Sequence, residues 1–181
     1  MTSLLTRLQS GWKALRGHFW GSLAIDVVLI MLVFIMIHAW QTRDLPKDDQ
    51  TPALDLGWLD NMRADTIMVA GETGVIYFFA PWCFYCKKSI DNLDKLVATG
   101  NLSWARVVAL DYGNLDEVRE FISETGVSLP VLLGNAQTTQ DWQIRAFPTY
   151  FVIDGDGGIA SRSVGYSTML GLKARLWLNQ D

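Results

Sequence analysis

Both cysteines of this 181-residue chain stand in one segment, Trp82-Cys83-Phe84-Tyr85-Cys86, directly after the run Gly74-Val75-Ile76-Tyr77-Phe78-Phe79-Ala80-Pro81. An apolar, β-branched and aromatic run ending in Pro-Trp-Cys-x-x-Cys reads as a buried strand, a short turn and the start of a helix. A helix amino terminus presents free N–H groups and partial positive charge. A thiol placed there loses its proton more easily, and the thiolate is the reactive species. Cysteines at this spacing close into a disulfide without moving the backbone, so the segment reads as a pair that cycles between dithiol and disulfide. Two other readings compete. A purely structural disulfide would close so short a loop that it adds little stability. A zinc site normally takes four ligands, and the remaining candidates, His18 and His38, lie far upstream.

Half of the residues are hydrophobic and the mean hydropathy is +0.16, high for a soluble domain. The excess is concentrated early. Between Phe19 and Trp40 only Ser22, Asp26 and His38 are clearly polar. As a helix, Trp20 to Trp40 spans about 30 Å, the thickness of a bilayer's hydrocarbon core, with tryptophans where interfacial aromatics sit. Arg7, Lys13 and Arg16 precede the span without an acid among them, and mixed charges follow it. The positive-inside rule therefore places residues 1–18 in the cytoplasm, 19–40 as a single-pass anchor in a bacterial inner membrane, and the rest in the periplasm. Disulfides persist in that compartment. A cleaved signal peptide would need small residues at its cleavage site, and Ile37-His38-Ala39 fails at the first. A buried core helix would need a domain able to cover it on every side. Asp26 lies close enough to the helix start to reach the cytoplasmic interface, its ordinary reading, although intramembrane acids are often functional.

Residues 41–52 are polar, carry Pro46 and Pro52, and read as a linker. Residues 53–181 are enough for one domain with its own core. From residue 41 onward there are 12 Lys and Arg against 18 Asp and Glu, a balance that argues against nucleic-acid binding. Within this region Thr66–Val69, Val75–Ala80, Trp104–Leu110, Leu129–Leu133, Thr149–Ile153 and Ile159–Val164 read as strands. Phe84–Ala98 reads as a helix. Leu115, Val118, Phe121 and Ile122 line one face of another, which ends near Gly126. Ser167 is placed to cap a last helix with Leu170, Ala174 and Trp177 on one face. Strands alternating with helices, then a hairpin and a final helix, give an α/β sheet.

With these elements in place, Phe78-Phe79-Ala80-Pro81-Trp82-Cys83-Phe84-Tyr85-Cys86 resembles the active-site signature of the thioredoxin superfamily. Ala146-Phe147-Pro148-Thr149 resembles the loop that carries its cis-proline. The inserted helix and strand between Asp111 and Arg145 resemble the membrane-anchored TlpA-like branch, and the ending from Gly165 to Leu178 is similar to the suppressor-of-copper-sensitivity D (ScsD-like) proteins. The resemblance covers roughly residues 55 to 178. It implies a thioredoxin-like fold, a central mixed sheet flanked by helices behind an N-terminal transmembrane helix, and a thiol–disulfide oxidoreductase that uses no cofactor beyond its own disulfide. Cys83 would be the attacking thiol and Cys86 the buried resolving thiol. Pro148 would lie against the disulfide in the cis form and keep metal away. The Phe147 backbone would pair with an extended substrate strand, and Trp82 would shield the thiols and help form the docking surface. Electrons would come from a membrane donor of the DsbD/ScsB type and pass to periplasmic protein disulfides.

The chain also departs from its relatives. Thioredoxin has a buried acid at the position of Tyr77 and a buried lysine at that of Ala109, and both are missing here. Phe84-Tyr85 between the cysteines is unusual, and it lacks the histidine that stabilises the thiolate in strongly oxidising members. The subgroup's name points to copper, yet Met31 and Met36 lie in the span and Met62 and Met68 have no histidine nearby. No metal site is expected, although a dithiol is able to bind Cu(I). A copper-tolerance link would act through repair of oxidised thiols. The expected function is reduction or isomerisation of protein disulfides. The alternatives are a disulfide-introducing oxidase and a thioredoxin-like docking module without turnover.

Overall fold

A computed structural model describes residues 19–46, 51–60, 63–64 and 66–178. The amino-terminal charges Arg7, Lys13 and Arg16, and Met62, lie outside the described residues. The chain divides into two compact units, Met1–Gln41 and Thr42–Asp181.

The described part of the first unit is helical throughout and belongs to the helix α1, Phe19–Thr42, whose last residue is the first of the second unit. It is apolar all round, and its side chains from Val27 to Ile37 are exposed. Such a helix must be covered by something other than its own chain. Ser22–Thr42, with a mean hydropathy of 2.5, is long and apolar enough to cross a membrane. The helix runs two residues past the expected end at Trp40.

The second unit is built on one six-stranded sheet. Its strands are β1 (Gly57–Trp58), β2 (Gly74–Phe79), β3 (Trp104–Ala109), β4 (Val131–Leu133), β5 (Thr149–Ile153) and β6 (Ile159–Val164), in the spatial order β1-β4-β3-β2-β5-β6. The pairs β2–β3 and β3–β4 are parallel, and β1–β4, β2–β5 and β5–β6 are antiparallel. The helices are α2 (Phe84–Ala98), α3 (Leu115–Thr125), α4 (Ala136–Asp141) and α5 (Met169–Leu178). Strand β2 is buried along its whole length because it has a neighbour on each edge and a core on each face. Its alternation sorts the two cores. Val75, Tyr77 and Phe79 join α2, α3 and α5 on one face. Ile76 and Phe78 pack on the other against Trp142, Phe151, Leu45 and Leu54. A parallel β2–β3 pair needs a crossover, and α2 supplies it. Helix α3 ends as its sequence dictates, with Gly126 at φ 65° donating its N–H to the Ile122 carbonyl.

Several elements differ from the sequence expectation. Thr66–Val69 forms no strand. The Thr66 carbonyl accepts from Nε and Nη2 of the buried Arg106, at 3.1 and 2.8 Å, so this backbone serves a guanidinium rather than a ladder. Strand β1 and helix α4 were not expected. The described part of the 41–52 stretch packs on the domain: Leu45 is buried, Asp44 pairs with Arg145 at 2.7 Å, and Arg162 donates to the Pro46 carbonyl at 2.9 Å. The cap of α5 is Thr168, whose Oγ1 accepts from the Gly171 N–H at 3.1 Å. Ser167 is buried instead, its Oγ accepting from Arg175 at 3.2 Å. The Leu170–Ala174–Trp177 face of α5 points outward, and the buried residues are Leu172 and Leu176.

Gly74 opens β2 where no side chain fits. A Cβ there would stand 2.0 Å from the ring of the buried Trp104, whose Nε1 already donates to the Glu72 carbonyl at 3.0 Å. Gly74→Ala therefore forces the indole or the strand to move. It is expected to destabilise the domain by about 1–3 kcal/mol, read as a lowered midpoint in urea at unchanged slope. An unchanged midpoint would show that this end of the sheet yields freely.

Candidate active site

Cys83 is the N-cap of α2. Its backbone is extended at φ −77° and ψ 110°, and its Sγ accepts from the Cys86 N–H at 3.2 Å. The two cysteines form a disulfide with their Cα atoms 5.2 Å apart, within the ordinary range. Both cysteines are nearly out of water, with Cys83 at 5 % and Cys86 at 0 % exposure, so of the two only Cys83 has any outward surface. This asymmetry follows from the helix: Cys86 sits one turn in, on the stripe with Ile90 and Leu93 that faces the sheet.

An aromatic rim surrounds this buried pair. Trp82, Phe84 and Tyr85 are each at least 60 % exposed. The Trp82 indole meets the Phe147 ring edge-on, with centroids 5.8 Å apart. Pro148 follows in cis and is buried. Its carbonyl accepts from the Gly165 N–H at 2.8 Å, which ties the loop to the end of β6. The structure thus brings Cys83, Cys86, Trp82 and Phe147 into one cluster with Pro148 next in sequence. A cavity of about 630 Å³ opens beside it, between Asp111, Asn135, Gln140, Arg145 and Phe147. It lies at the carboxyl ends of β3 and β4, where open α/β sheets bind ligands. A smaller cleft of about 270 Å³ lies on the Trp82 side of α3, lined by Lys87, Glu117, Glu120 and Glu124.

Sequence reasoning missed Asp111, Ser89 and Glu124 here. Asp111, two residues past the end of β3, accepts from Trp82 Nε1 through its carboxylate at 3.0 Å and its carbonyl at 3.2 Å. Its φ of 50° turns the chain so that both oxygens reach the indole. A lone acid at the carboxyl end of a parallel strand was the available signal. Ser89 sits on the buried stripe of α2, where its hydroxyl donates to the Tyr85 carbonyl at 2.8 Å. A serine among the apolar residues of a helix face would have marked it. Lys87, which follows the motif, is ion-paired with Glu124 of α3.

Tyr77 occupies the position where thioredoxin has an acid. It is 2 % exposed, and its Oη lies 2.6 Å from Ser89 Oγ and 3.5 Å from the Cys86 carbonyl. Burial pushes its phenol well above the ordinary tyrosine range, only partly offset by the bond to Ser89. The sign follows by linkage. The unfolded phenol ionises first, so its contribution to stability is full below about pH 10 and is lost as pH rises above that value. Wild-type protein is therefore expected to lose stability between pH 9 and 11 (roughly the range around the free tyrosine pKa) more steeply than Tyr77→Phe. Parallel melting profiles over that range would contradict the burial argument.

Residues 49–162 match the AhpC/TSA family. The chain belongs to that family. It is similar to the thioredoxin-like protein YneN of Bacillus subtilis, at 24% identity over 163 residues, covering 84% of this chain and 95% of YneN. It is also similar to the thiol-disulfide oxidoreductase ResA of Bacillus thuringiensis, at 24% identity over 112 residues, covering 61% of this chain and 65% of ResA. Among solved structures, StoA from Bacillus subtilis superposes with a TM-score of 0.60 at 23% identity, covering 69% of this chain and 97% of StoA. That superposition confirms the thioredoxin-like fold of the second unit, a mixed sheet flanked by helices.

Proposed function

We propose that the protein is a membrane-tethered thiol–disulfide oxidoreductase that reduces, or isomerises, protein disulfides on the periplasmic side of a bacterial inner membrane. Similarity to ResA supports the reaction class. The direction rests on one observation: Glu124 neutralises Lys87, the cation nearest the motif. With Phe84 and Tyr85 uncharged, the Cys83 thiolate is stabilised mainly by the helix start. A couple becomes strongly oxidising only when its reduced form is strongly stabilised.

The reduced pair would work in two exchange steps. The Cys83 thiolate attacks one sulfur of the substrate disulfide, forming a mixed disulfide and releasing a substrate thiolate. Cys86 loses its proton to water or to that thiolate and attacks the Cys83 sulfur. The second substrate thiol leaves, and the Cys83–Cys86 disulfide holds the two oxidising equivalents. A membrane donor of the DsbD/ScsB type returns two electrons. Trp82 and the Phe147 backbone form the surface on which an extended substrate segment lies. Any ScsD-like contribution to copper tolerance comes through this thiol repair.

The tether is tested in spheroplasts. Protease added outside is expected to digest the chain beyond Thr42 while leaving cytoplasmic markers intact. Protection of residues 53–181 would contradict the periplasmic assignment.

A further inference from the structure

We propose that the buried hydroxyls of Tyr77 and Ser89 are positioning residues that set the acidity of Cys83 through the Tyr85–Cys86 peptide group. The inference rests on the reading of Cys83 as the attacking thiol. Ser89 Oγ donates to the Tyr85 carbonyl at 2.8 Å. A serine hydroxyl has one proton, so in its 2.6 Å contact with Tyr77 the phenol is the donor. The Tyr85 carbonyl is one end of a peptide group whose other end, the Cys86 N–H, donates to Cys83 Sγ at 3.2 Å. The bonds therefore run in series from Tyr77 through Ser89 and one peptide group to the sulfur. A bond accepted by a peptide carbonyl polarises the group and strengthens its N–H as a donor, and such series reinforce each other away from water. Tyr77 and Ser89 are both only 2 % exposed.

The effect grows on reduction. Once the reduced Cys83 ionises, its sulfur carries negative charge, and a hydrogen bond to a charged acceptor is about twice as strong as a neutral one. Burial keeps the phenol protonated, so the series keeps its donor throughout the physiological range. Tyr150 of β5 faces Tyr77 with ring centroids 6.4 Å apart, and its hydroxyl is occupied by Arg175 of α5 at 2.8 Å. On the Cys83 side the charged groups among the described residues are Lys87, Lys88, Asp111, Glu117, Glu120, Glu124 and Arg145, all untouched by substitution at 77 or 89. Where an acid at position 77 would add its own titration to the Cys83 profile, this neutral series adds none.

The test is the pH dependence of Cys83 alkylation by iodoacetamide in the reduced, full-length protein, followed by mass spectrometry, together with equilibration of the pair against glutathione. Ser89→Ala and Tyr77→Phe are each expected to raise the alkylation midpoint and to shift the glutathione equilibrium toward the disulfide by about two- to fourfold. That is the size expected on removing a link from a cooperative series that ends on a charged acceptor. Ser89→Thr, which keeps the hydroxyl, is expected to restore both. Unchanged midpoint and equilibrium in a folded Ser89→Ala protein would overturn the proposal, even if its melting temperature fell. A shift in Ser89→Ala with none in a folded Tyr77→Phe would overturn the role of Tyr77. If Tyr77→Phe fails to fold, the two Ser89 variants decide. No protein substrate enters these measurements, so a shifted midpoint in a protein that fails to reduce protein disulfides would overturn the proposed function alone.

Discussion

Cys86→Ala protein isolated from cells whose free thiols have been blocked is expected to carry partner proteins joined to Cys83 by disulfides, and Cys83→Ala protein few or none. The expectation follows from burial and placement. Cys83 caps α2 and has the pair's only exposed surface, whereas Cys86 is fully enclosed. In the proposed mechanism Cys83 alone meets an incoming disulfide, and Cys86 resolves the mixed disulfide from its position one helical turn away. Well-oriented intramolecular attack has an effective molarity of ~10⁵ M or more, which free thiols do not approach. Removing Cys86 therefore lengthens the life of the intermediate by orders of magnitude. Non-reducing gels probed for the protein read the outcome, with reductant collapsing the adducts. Adducts on Cys83→Ala and none on Cys86→Ala would reverse the two roles, and adducts on neither would favour a docking module without turnover.

The parts of the fold legible in the sequence are those whose residues declare their surroundings. Val75–Phe79 is apolar without alternation because both faces of β2 are covered, and Phe84–Ala98 shows its buried stripe at helical spacing. Placing the cysteines needed only that strand and that helix. Strand β1 is just Gly57 and Trp58, and it exists because β4 offers an edge, which no local pattern announces. Helix α4 has no apolar stripe. Its signature is the reciprocal capping between Asn135 and Thr138. Thr66–Val69 looks like a strand because its residues are β-branched and apolar, but a buried arginine takes its backbone. The outward face of α5 misled for a related reason: Leu170 and Trp177 fit helical spacing as well as Leu172 and Leu176 do, and only the sheet selects between them. In the site, the thiols, Trp82, Phe147 and Pro148 were legible from their motifs. The partners that hold them, Asp111, Ser89 and Glu124, are ordinary polar residues until the fold brings them to the motif.

The reduction potential of the Cys83–Cys86 pair tests the central claim, the reducing direction, most directly. Two features raise a potential by stabilising the thiolate, the helix start and nearby cations. The helix start is present. Lys87 is paired with Glu124, and Lys88 lies over the Phe84 ring with its ammonium 5.8 Å from the centroid, exposed to solvent and to salt. The pair is therefore expected near the thioredoxin value of about −270 mV, far from the DsbA value of about −120 mV. Equilibration of the purified protein against glutathione or dithiothreitol, with the thiol and disulfide forms counted by alkylation, gives the number. A value near −270 mV is the predicted result; one above about −180 mV, the level of protein disulfide isomerase, would contradict net reduction and make the protein a donor of disulfides.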